Sequence, residues 1–516
     1  MRPTNVALLS ALGMLLCSVT VYSLTPPGGS ADVSDLARPD TTPITTQGAD
    51  GPEAQTELGR FTAGSTLMIE GRVGHPRLLR SAGETFLMLE VRGDSAGRAT
   101  TQAPANLSLV IDRSGSMKGG RLLNAIQAAT RAVDQLQDGD TVSVLAFDTR
   151  TTVVVPPTTL EPGTRSRVLA DIRGITLGGD TCISCGIEDG LALLDRTEGR
   201  VTRMMVLSDG DANNGVRDVP GFRAIAQRAH DRGVNITTVG VDVDYNEKIL
   251  SAIAQESNGR HYFVENDAGL ARIFEQEAEA LKTTVASGAE VAIDLAPGVE
   301  LDRVFDRTFR RAGSRVLVPM GSFARGEVKT VLLKVRVSGA AAGPAAIADV
   351  SMTYRDLVAS NEGRCEGKLA VEVTDDPASA SDLDAVVAGR VQRSETASTL
   401  KQANFLFQQG RFEEARRKLE SQEQALKDVA TKAKKAAPAA RAADVDRDFE
   451  RQIAALESAN DGFAEPAPRV FATPPSAGGA PAQAAAPPAP AAAPQESRKG
   501  RSAVRQNEQN AFDLGF

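Results

Sequence analysis

The chain has 516 residues, 41% of them hydrophobic, which is enough for about three domains with packed cores. Its formal charge is −8 at pH 7, and basic residues gather only in short runs, so we expect no nucleic-acid partner. The histidines His75, His230 and His261 stand too far apart along the chain to predict a zinc site.

The amino-terminal segment, residues 1–25, has the pattern of a signal peptide or a membrane anchor. Arg2 precedes an apolar stretch over residues 6–24, and residues 21–23 offer a small-residue cleavage site. If it is not cleaved, the stretch is long enough to cross a bilayer once. Both alternatives place the working domains outside the cytoplasm, either periplasmic or in the cell envelope, secreted or anchored.

A flexible linker and two short strands follow. Residues 26–60 are rich in Pro, Gly, Thr and Asp, a composition that predicts a flexible chain. Residues 67–73 and 84–91 have the pattern of strands. Because two strands do not make a stable domain, we expect the strands within residues 61–103 to join others later in the chain.

Three loops then carry oxygen-bearing side chains. These residues are Asp112, Ser114, Ser116, Thr181 and Asp209. Asp-x-Ser-x-Ser alone also fits a strand-end turn whose side chains cap backbone groups. The order of the three loops favours a metal site, because open α/β sheets bind ligands outside the carboxyl ends of their strands. Hydroxyls with one or two carboxylates suit Mg²⁺ or Mn²⁺, and they suit Ca²⁺ less well.

This ligand set also predicts the kind of partner. If Ser114, Ser116 and Thr181 bind the cation directly while Asp112 and Asp209 act mostly through water, the cation stays electron-poor. An electron-poor cation attracts a further anion at its open position. We therefore expect a protein ligand with an exposed Asp or Glu, whose binding requires the metal.

Residues 104–285 resemble a von Willebrand factor type A domain with a complete metal-ion-dependent adhesion site. The resemblance is carried by the sequences at 112–117 (DRSGSM), 178–181 (GGDT) and 207–210 (LSDG). It is strongest to bacterial secreted or membrane-tethered members grouped with inter-alpha-trypsin-inhibitor heavy chains and calcium-activated chloride channel homologues. The resemblance implies a role in adhesion and the following metal residues: Asp112, Ser114, Ser116, Thr181 and Asp209.

The second loop departs from the family pattern. Asp180 is an extra residue between the glycine pair and Thr181, so we expect a reshaped loop in which Asp180 could compete as a ligand. Cys182 and Cys185 follow at once, and in an oxidising compartment they would close a small disulfide. Unpaired thiols, pairing of one cysteine with Cys365 and a thiol redox motif remain alternatives.

Helical and strand patterns alternate through the rest of this region. Apolar residues recur at helical spacing over residues 122–136, and a short β-rich run follows at 142–147. Such alternation predicts an α/β domain with a doubly wound, mostly parallel, Rossmann-like sheet. Asp244 and Glu247 have the spacing of a capping box before a helix, which we prefer to a second metal site.

The remaining chain divides into three predicted segments. Strand-like runs over residues 286–376 predict a β-sandwich that the early strands complete, with the metal domain of residues 104–285 inserted between them. Residues 377–463 resemble one tetratricopeptide-type helical hairpin, and since one repeat cannot stand alone we expect a hairpin or short coiled coil. Residues 464–516 predict an Ala/Pro-rich disordered tail ending in Phe-Asp-Leu-Gly-Phe, with a docking peptide as the alternative.

The function predicted from these features is a non-enzymatic, cation-dependent protein-binding or adhesion module of the cell envelope. The alternative is an envelope scaffold whose helical segment and tail recruit partners while the metal only braces the loops. A phosphate-cradling loop is missing from the sequence, and no set of nucleophile, base and orienting residue stands out. One membrane-length stretch cannot line a multi-helix pore. The oligomeric state is not indicated.

Overall fold

The computed structural model describes residues 55–94, 103–194, 200–265, 267–463 and 498–515, which lie in one compact unit. The predicted signal peptide or anchor lies outside the described residues, as do most of the predicted linker and of the Ala/Pro-rich tail. Among the residues that are described, no helix has both the length and the apolar character needed to cross a membrane.

The strands of the described residues lie between Gln55 and Thr374. They are β1 (Gln55–Glu57), β2 (Arg60–Gly64), β3 (Leu67–Val73), β4 (Arg77–Leu79), β5 (Glu84–Gly93), β6 (Ala105–Asp112), β7 (Thr141–Phe147), β8 (Thr151–Thr159), β9 (Val201–Ser208), β10 (Asn235–Val241), β11 (His261–Val264), β12 (Thr284–Leu295), β13 (Val299–Phe305), β14 (Arg310–Ala312), β15 (Arg315–Ala324), β16 (Val328–Val337), β17 (Gly343–Asp356) and β18 (Asn361–Thr374).

The helices fall into two groups, one within the predicted metal domain and one at the carboxy-terminal end. They are α1 (Gly120–Gln135), α2 (Pro162–Arg173), α3 (Ile183–Ala192), α4 (Val219–Asp231), α5 (Glu247–Glu256), α6 (Asp267–Lys282), α7 (Ala385–Gln408), α8 (Phe412–Ala436), α9 (Ala442–Phe463) and α10 (Arg498–Gly515). A 3-10 turn, Gly115–Met117, lies between β6 and α1.

The metal domain is a six-stranded sheet in the order β11-β10-β9-β6-β7-β8. Its neighbours pair in parallel except for β7 and β8, which are antiparallel. Helices α1, α2 and α6 cover one face, while α3, α4 and α5 cover the other. Because both faces are covered, every residue of β6 is buried. The doubly wound α/β fold predicted from the sequence is confirmed.

Strand β6 lies where the strand order reverses. From β6 the chain moves outward to β7 on one side, and it returns to place β9 on the other side. The loops that follow β6 and β9 therefore leave the same sheet edge as neighbours. In a doubly wound sheet such a switch point is where ligands bind.

A β-sandwich flanks the metal domain and is assembled from both sides of it. One sheet has the order β1-β2-β3-β5-β16-β13 and the other β14-β15-β12-β17-β18-β4. The early strand β5 pairs with the late strand β16, and β4 pairs with β18. The two sheets share one apolar core. Neither set of strands could bury its apolar face alone, so the two sets pack together. Because the α/β domain lies between them along the chain, it is an insertion in the sandwich.

The carboxy-terminal helices pack around one further core. Gly410, with a φ of 75°, makes the turn between α7 and α8. Helix α9 packs against this hairpin, where the rings of Phe407 and Phe463 stack with centroids 4.1 Å apart. The hairpin therefore has the apolar partner that a single repeat needs.

The prediction of a disordered tail is wrong for residues 498–515, which form helix α10. The face that this helix buries includes Ala503, Val504, Ala511 and Leu514, which join the core of α7 and α9. An isolated helix of this length and polarity would be marginal in water. Its order comes from tertiary packing, which composition does not reveal.

Candidate metal site

The first and third loops meet because the strands that deliver them are parallel neighbours. Ile111 of β6 pairs with Leu207 of β9, so Asp112 and Ser208 fall side by side at the edge of the sheet. The hydroxyl of Ser208 donates a 2.6 Å hydrogen bond to Oδ2 of Asp112. The adjacent residue Asp209 is thereby brought to the β6 loop.

The first loop bends over Asp112 and presents two hydroxyls to Asp209. The backbone N–H of Ser114 donates to Oδ1 of Asp112 over 2.8 Å. Oγ of Ser114 lies 2.9 Å from Oγ of Ser116, and Ser116 donates to Oδ1 of Asp209 over 2.6 Å. Four of the five predicted metal residues thus form one continuous hydrogen-bonded cluster.

The fifth residue, Thr181, lies against the same cluster. A Cβ added to Gly210 would lie 3.4 Å from Oγ of Ser116 and 3.6 Å from Oγ1 of Thr181, so both hydroxyls face this glycine. The N–H of Thr181 donates to Oδ1 of Asn213 over 2.8 Å, which ties the second loop to the third. All three loops therefore converge, as the order of their motifs predicts.

The glycine pair allows the second loop to approach the first. The N–H of Gly178 donates to the carbonyl of Arg113 over 2.7 Å, and the carbonyl of Gly179 accepts from the N–H of Gly115 over 2.8 Å. A Cβ at Gly178 would collide with the carboxylate of Asp148. The pair is thus required by close packing, independently of any ligand.

Asp180, the extra residue of this loop, does not join the cluster. Its side chain is exposed and accepts a hydrogen bond from the amide of Asn214 over 3.4 Å. Its N–H donates to Oγ1 of Thr149 over 2.9 Å. The insertion is therefore accommodated at the surface, and Thr181 keeps its place.

The cysteine pair is oxidised in the structure. Cys182 and Cys185 are joined by a disulfide that spans the start of α3 directly after Thr181. Cys365 is a free thiol buried in the sandwich core, and burial raises its pKa to about 11. The structural disulfide expected from the sequence is present, and pairing with Cys365 is wrong.

Two buried carboxylates give the cluster its electrostatic character. Asp112 is fully buried, and Asp209 is 1% exposed. Burial, aided by the nearby charge of Asp209, raises the pKa of Asp112 to about 6, although hydrogen bonds from Ser114 and Ser208 favour its charged form. Buried carboxylates that lie together need compensating positive charge.

Part of that charge comes from Arg121, which the sequence reasoning missed. Nη1 of Arg121 donates to Oδ2 of Asp209 over 2.7 Å and to the carbonyl of Ser116 over 2.9 Å. Nη2 donates to the carboxylate of Asp242 in the loop after β10. The position of Arg121 in the first turn of the helix after the Ser116 loop is the sequence feature that could have identified it.

The arrangement fits Mg²⁺ or Mn²⁺ on the chemistry of its donors. Three hydroxyls and two carboxylates offer oxygen ligands only, which hard divalent cations prefer. The guanidinium of Arg121 pairs with Asp209, so the carboxylates of the cluster attract positive charge. Within the described ranges no group of three His, Cys, Asp or Glu side chains is placed to hold a metal, so the hydroxyls are needed to complete the set.

Comparison with known proteins agrees with this geometry. A sequence profile of the von Willebrand factor type A domain matches residues 106–276. The uncharacterized protein sll0103 of Synechocystis sp. is 27% identical over 264 residues, covering 49% of this chain and 62% of that protein. Human inter-alpha-trypsin inhibitor heavy chain H4 is 26% identical over 204 residues, covering 37% of this chain and 22% of that protein. The similarity thus spans less than two thirds of each relative.

Solved structures show the same fold over most of the chain. A von Willebrand factor type A protein from Catenulispora acidiphila has a TM-score of 0.63 at 16% identity, over 79% of this chain and 92% of that one. The ArnB paralog VWA2 from Sulfolobus acidocaldarius has a TM-score of 0.52 at 16% identity, over 76% and 98%. At this identity the likeness concerns the fold alone.

Proposed function

Because residues 106–276 form a von Willebrand factor type A domain, we propose that the chain is a non-enzymatic binding module that captures an acidic partner protein through a divalent cation. The observation that carries the proposal is the contact between Ser116 and Asp209 beside the buried carboxylate of Asp112. This contact places hydroxyls and carboxylates from separate loops in one oxygen-lined cluster. Such a donor set is suited to a hard cation.

The residues of the cluster divide into two roles. Ser114, Ser116 and Thr181 would hold the cation through their hydroxyl oxygens, which carry no formal charge. Asp112 and Asp209 would orient water and those hydroxyls through their carboxylates. When bound, Mg²⁺ or Mn²⁺ supplies an open coordination position that favours an anionic oxygen. A Glu or Asp side chain on the partner is the group that fits this position.

A location outside the cytoplasm is part of the proposal. The Cys182–Cys185 disulfide favours an oxidising compartment, where such bonds form and persist. The signal peptide or anchor predicted at residues 1–25 points the same way. We therefore propose that the binding module lies in the cell envelope or the periplasm, or is secreted.

One observation favours a second function, that of an envelope scaffold. Ser116, Asp209 and Arg121 already hold one another through protein hydrogen bonds, so the loops have a brace of their own. In this reading the cation is structural only, and the carboxy-terminal helices recruit the partners. A metal-site variant that keeps all of its partners would support this second function.

Retention of envelope proteins on the immobilised chain tests the first function against the second. We expect retention of acidic proteins in Mn²⁺, release by EDTA, and loss in Thr181→Val, which keeps the side-chain shape while removing one hydroxyl. Asp180→Asn serves as the matched control, since its carboxylate lies outside the cluster. Retention that survives EDTA and Thr181→Val would contradict cation-dependent binding.

A further inference from the structure

Helix α10 reaches the metal site through two arginines that share one carboxylate. Oδ2 of Asp242 accepts from Arg121, the residue that also holds Asp209. Oδ1 of Asp242 accepts from Nη2 of Arg498, the first residue of α10, over 2.9 Å. Asp209, Arg121, Asp242 and Arg498 therefore form a chain of alternating charge from the metal site to the carboxy-terminal helix.

Asp242 is held firmly at the centre of this chain. It is a non-glycine residue with a φ of 63°, in the left-handed region that side chains rarely adopt. Its N–H donates to the carbonyl of Val264, and its carboxylate accepts from the N–H of Val243, each over 2.8 Å. These hydrogen bonds fix the carboxylate of Asp242 between the two arginines.

Arg121 has open space beside it. Its side chain is 29% exposed, and it borders a cavity of about 320 Å³ that Lys118, Asn124 and Leu270 also line. The guanidinium therefore has space to leave Asp209 while it keeps its contact with Asp242. A divalent cation at the cluster would repel it in that direction.

Further contacts hold α10 against the metal domain. Arg505 forms an ion pair with Glu247, and these side chains are 11% and 9% exposed. Oε1 of Gln509 accepts from the N–H of Phe263 over 2.8 Å, and the ring of Phe512 lies 6.0 Å from that of His261. Helix α10 is thus seated on α5 and β11 of the metal domain, at the end of an Ala/Pro-rich sequence.

We propose that docking of helix α10 and cation binding oppose each other through Arg121 and Asp242. A cation at the cluster would break the contact of Arg121 with Asp209 and bring the whole guanidinium to Asp242, where Arg121 would compete with Arg498 for Oδ1 in addition to the Oδ2 that it already holds. Loss of Arg498 would leave Asp242 free to hold Arg121 away from the cluster. Because thermodynamic linkage is reciprocal, docking of α10 must lower the affinity for the cation by the same factor by which the bound cation lowers the docking equilibrium of α10.

This inference rests on the proposed cation site, and Mn²⁺ titration of full-length variants tests both. Arg498→Gln should tighten Mn²⁺ binding by at least about fivefold, the lower end of typical coupling between sites. Arg501→Gln is the matched control, because it removes the same charge from the same helix at a residue paired with Asp244 rather than Asp242. It should leave the Mn²⁺ affinity near that of wild type.

A double-variant cycle isolates the route through Arg121. In an Arg121→Gln background, Arg498→Gln should change Mn²⁺ affinity by less than about twofold, because the guanidinium that links Asp209 to Asp242 is gone. Hydrogen exchange gives an independent readout: Mn²⁺ should speed amide exchange in residues 500–512 of wild type and leave it unchanged in Asp112→Ala.

The outcomes separate the two proposals. Equal affinities of Arg498→Gln and Arg501→Gln, weaker binding by Arg498→Gln, or an Arg498→Gln effect that persists without Arg121 would overturn the coupling while the cation site stands. Failure of the wild-type chain to bind Mn²⁺ would overturn the cation site and the coupling together.

Discussion

Ser116 donates a 2.6 Å hydrogen bond to Asp209, a residue 93 positions further along the chain. The contact exists because β6 and β9 are parallel neighbours whose carboxyl ends deliver these two residues to the same edge. A hydroxyl from one loop and a carboxylate from another are thus aligned without the help of a cation. Preorganisation of this kind reduces the conformational entropy that the loops lose when a ligand binds.

We predict that Asp209→Asn lowers Mn²⁺ affinity by about 10- to 100-fold, the range typical for groups that orient metal ligands. The neutral amide would weaken the hydrogen bond from Ser116 and remove one of the two carboxylates that Arg121 pairs with. Asp211→Asn is the charge-matched control, because Asp211 is exposed two residues further on. Calorimetric titration measures both variants, and equal affinities would remove Asp209 from the site.

Opening the Cys182–Cys185 disulfide should loosen the second loop. For so short a spacing, the chain-entropy account gives about 2 kcal/mol of stabilisation. Reduction, or the double substitution of both cysteines by Ser, should therefore lower the free energy of unfolding by about that amount and weaken Mn²⁺ binding through Thr181. Cys365→Ser is the control for thiol loss. Urea unfolding with unchanged midpoints in the double variant would show that the bond does not brace the loop.

The local part of the site could be predicted from the sequence, and its surroundings could not. Asp112, Ser114 and Ser116 lie within one short motif, so their proximity needs only a strand and a turn. Arg121 and Asp242 meet only because β10 lies beside β9 and α1 packs across that edge. Contacts between distant segments of this kind leave no periodic signal in a single chain.

Helix boundaries show a second limit of the sequence. The expected capping box had Asp244 as its N-cap, but the N-cap of α5 lies two residues later at Asn246, whose Oδ1 accepts from the N–H of Ile249 over 3.2 Å. Asp and Asn cap helices about equally well, so composition does not choose between them. Asp244 instead pairs with Arg501 of α10, a helix whose polar sequence resembled a disordered tail.

Glu277 should be a major stabilising residue of the metal domain. Its carboxylate, fully buried on α6, accepts from Arg203 over 2.8 Å and from the hydroxyls of Thr237 and Tyr262 over 2.9 and 2.8 Å. Glu277→Ala would remove the carboxylate partner of the mostly buried guanidinium of Arg203, and breaking a buried ion pair in this way typically lowers the free energy of unfolding by about 3–5 kcal/mol. Denaturant unfolding checks this, with exposed Glu279→Ala as the control. Equal midpoints for the two variants would contradict it.

Stability should fall in acid through His261. Burial, with the positive charge of Arg505 adding, lowers the pKa of His261 from 6.5 to about 3. Above pH 6.5 the imidazole is neutral in the folded and the unfolded chain, so its full contribution is present. Below pH 6.5 only the unfolded chain gains the proton, and stability is lost progressively toward about pH 3.

His261→Gln isolates this effect. The variant should be less stable at pH 7, because Thr238 and Tyr245 lose their contacts with the imidazole. Its free energy of unfolding should nevertheless fall less steeply than that of wild type between pH 6.5 and 4, by up to about 1.4 kcal/mol per pH unit. Parallel pH profiles for the two proteins would show that His261 is not held neutral.

Calorimetric titration of Mg²⁺ and Mn²⁺ into the purified chain, with Asp112→Ala and Thr181→Ala beside it, tests the cation site most directly. Asp112 anchors the first loop and Thr181 belongs to the second, so the two variants probe the site from separate segments. We expect saturable binding by wild type that both variants lose. Absence of binding by wild type, or equal binding by all three proteins, would contradict it.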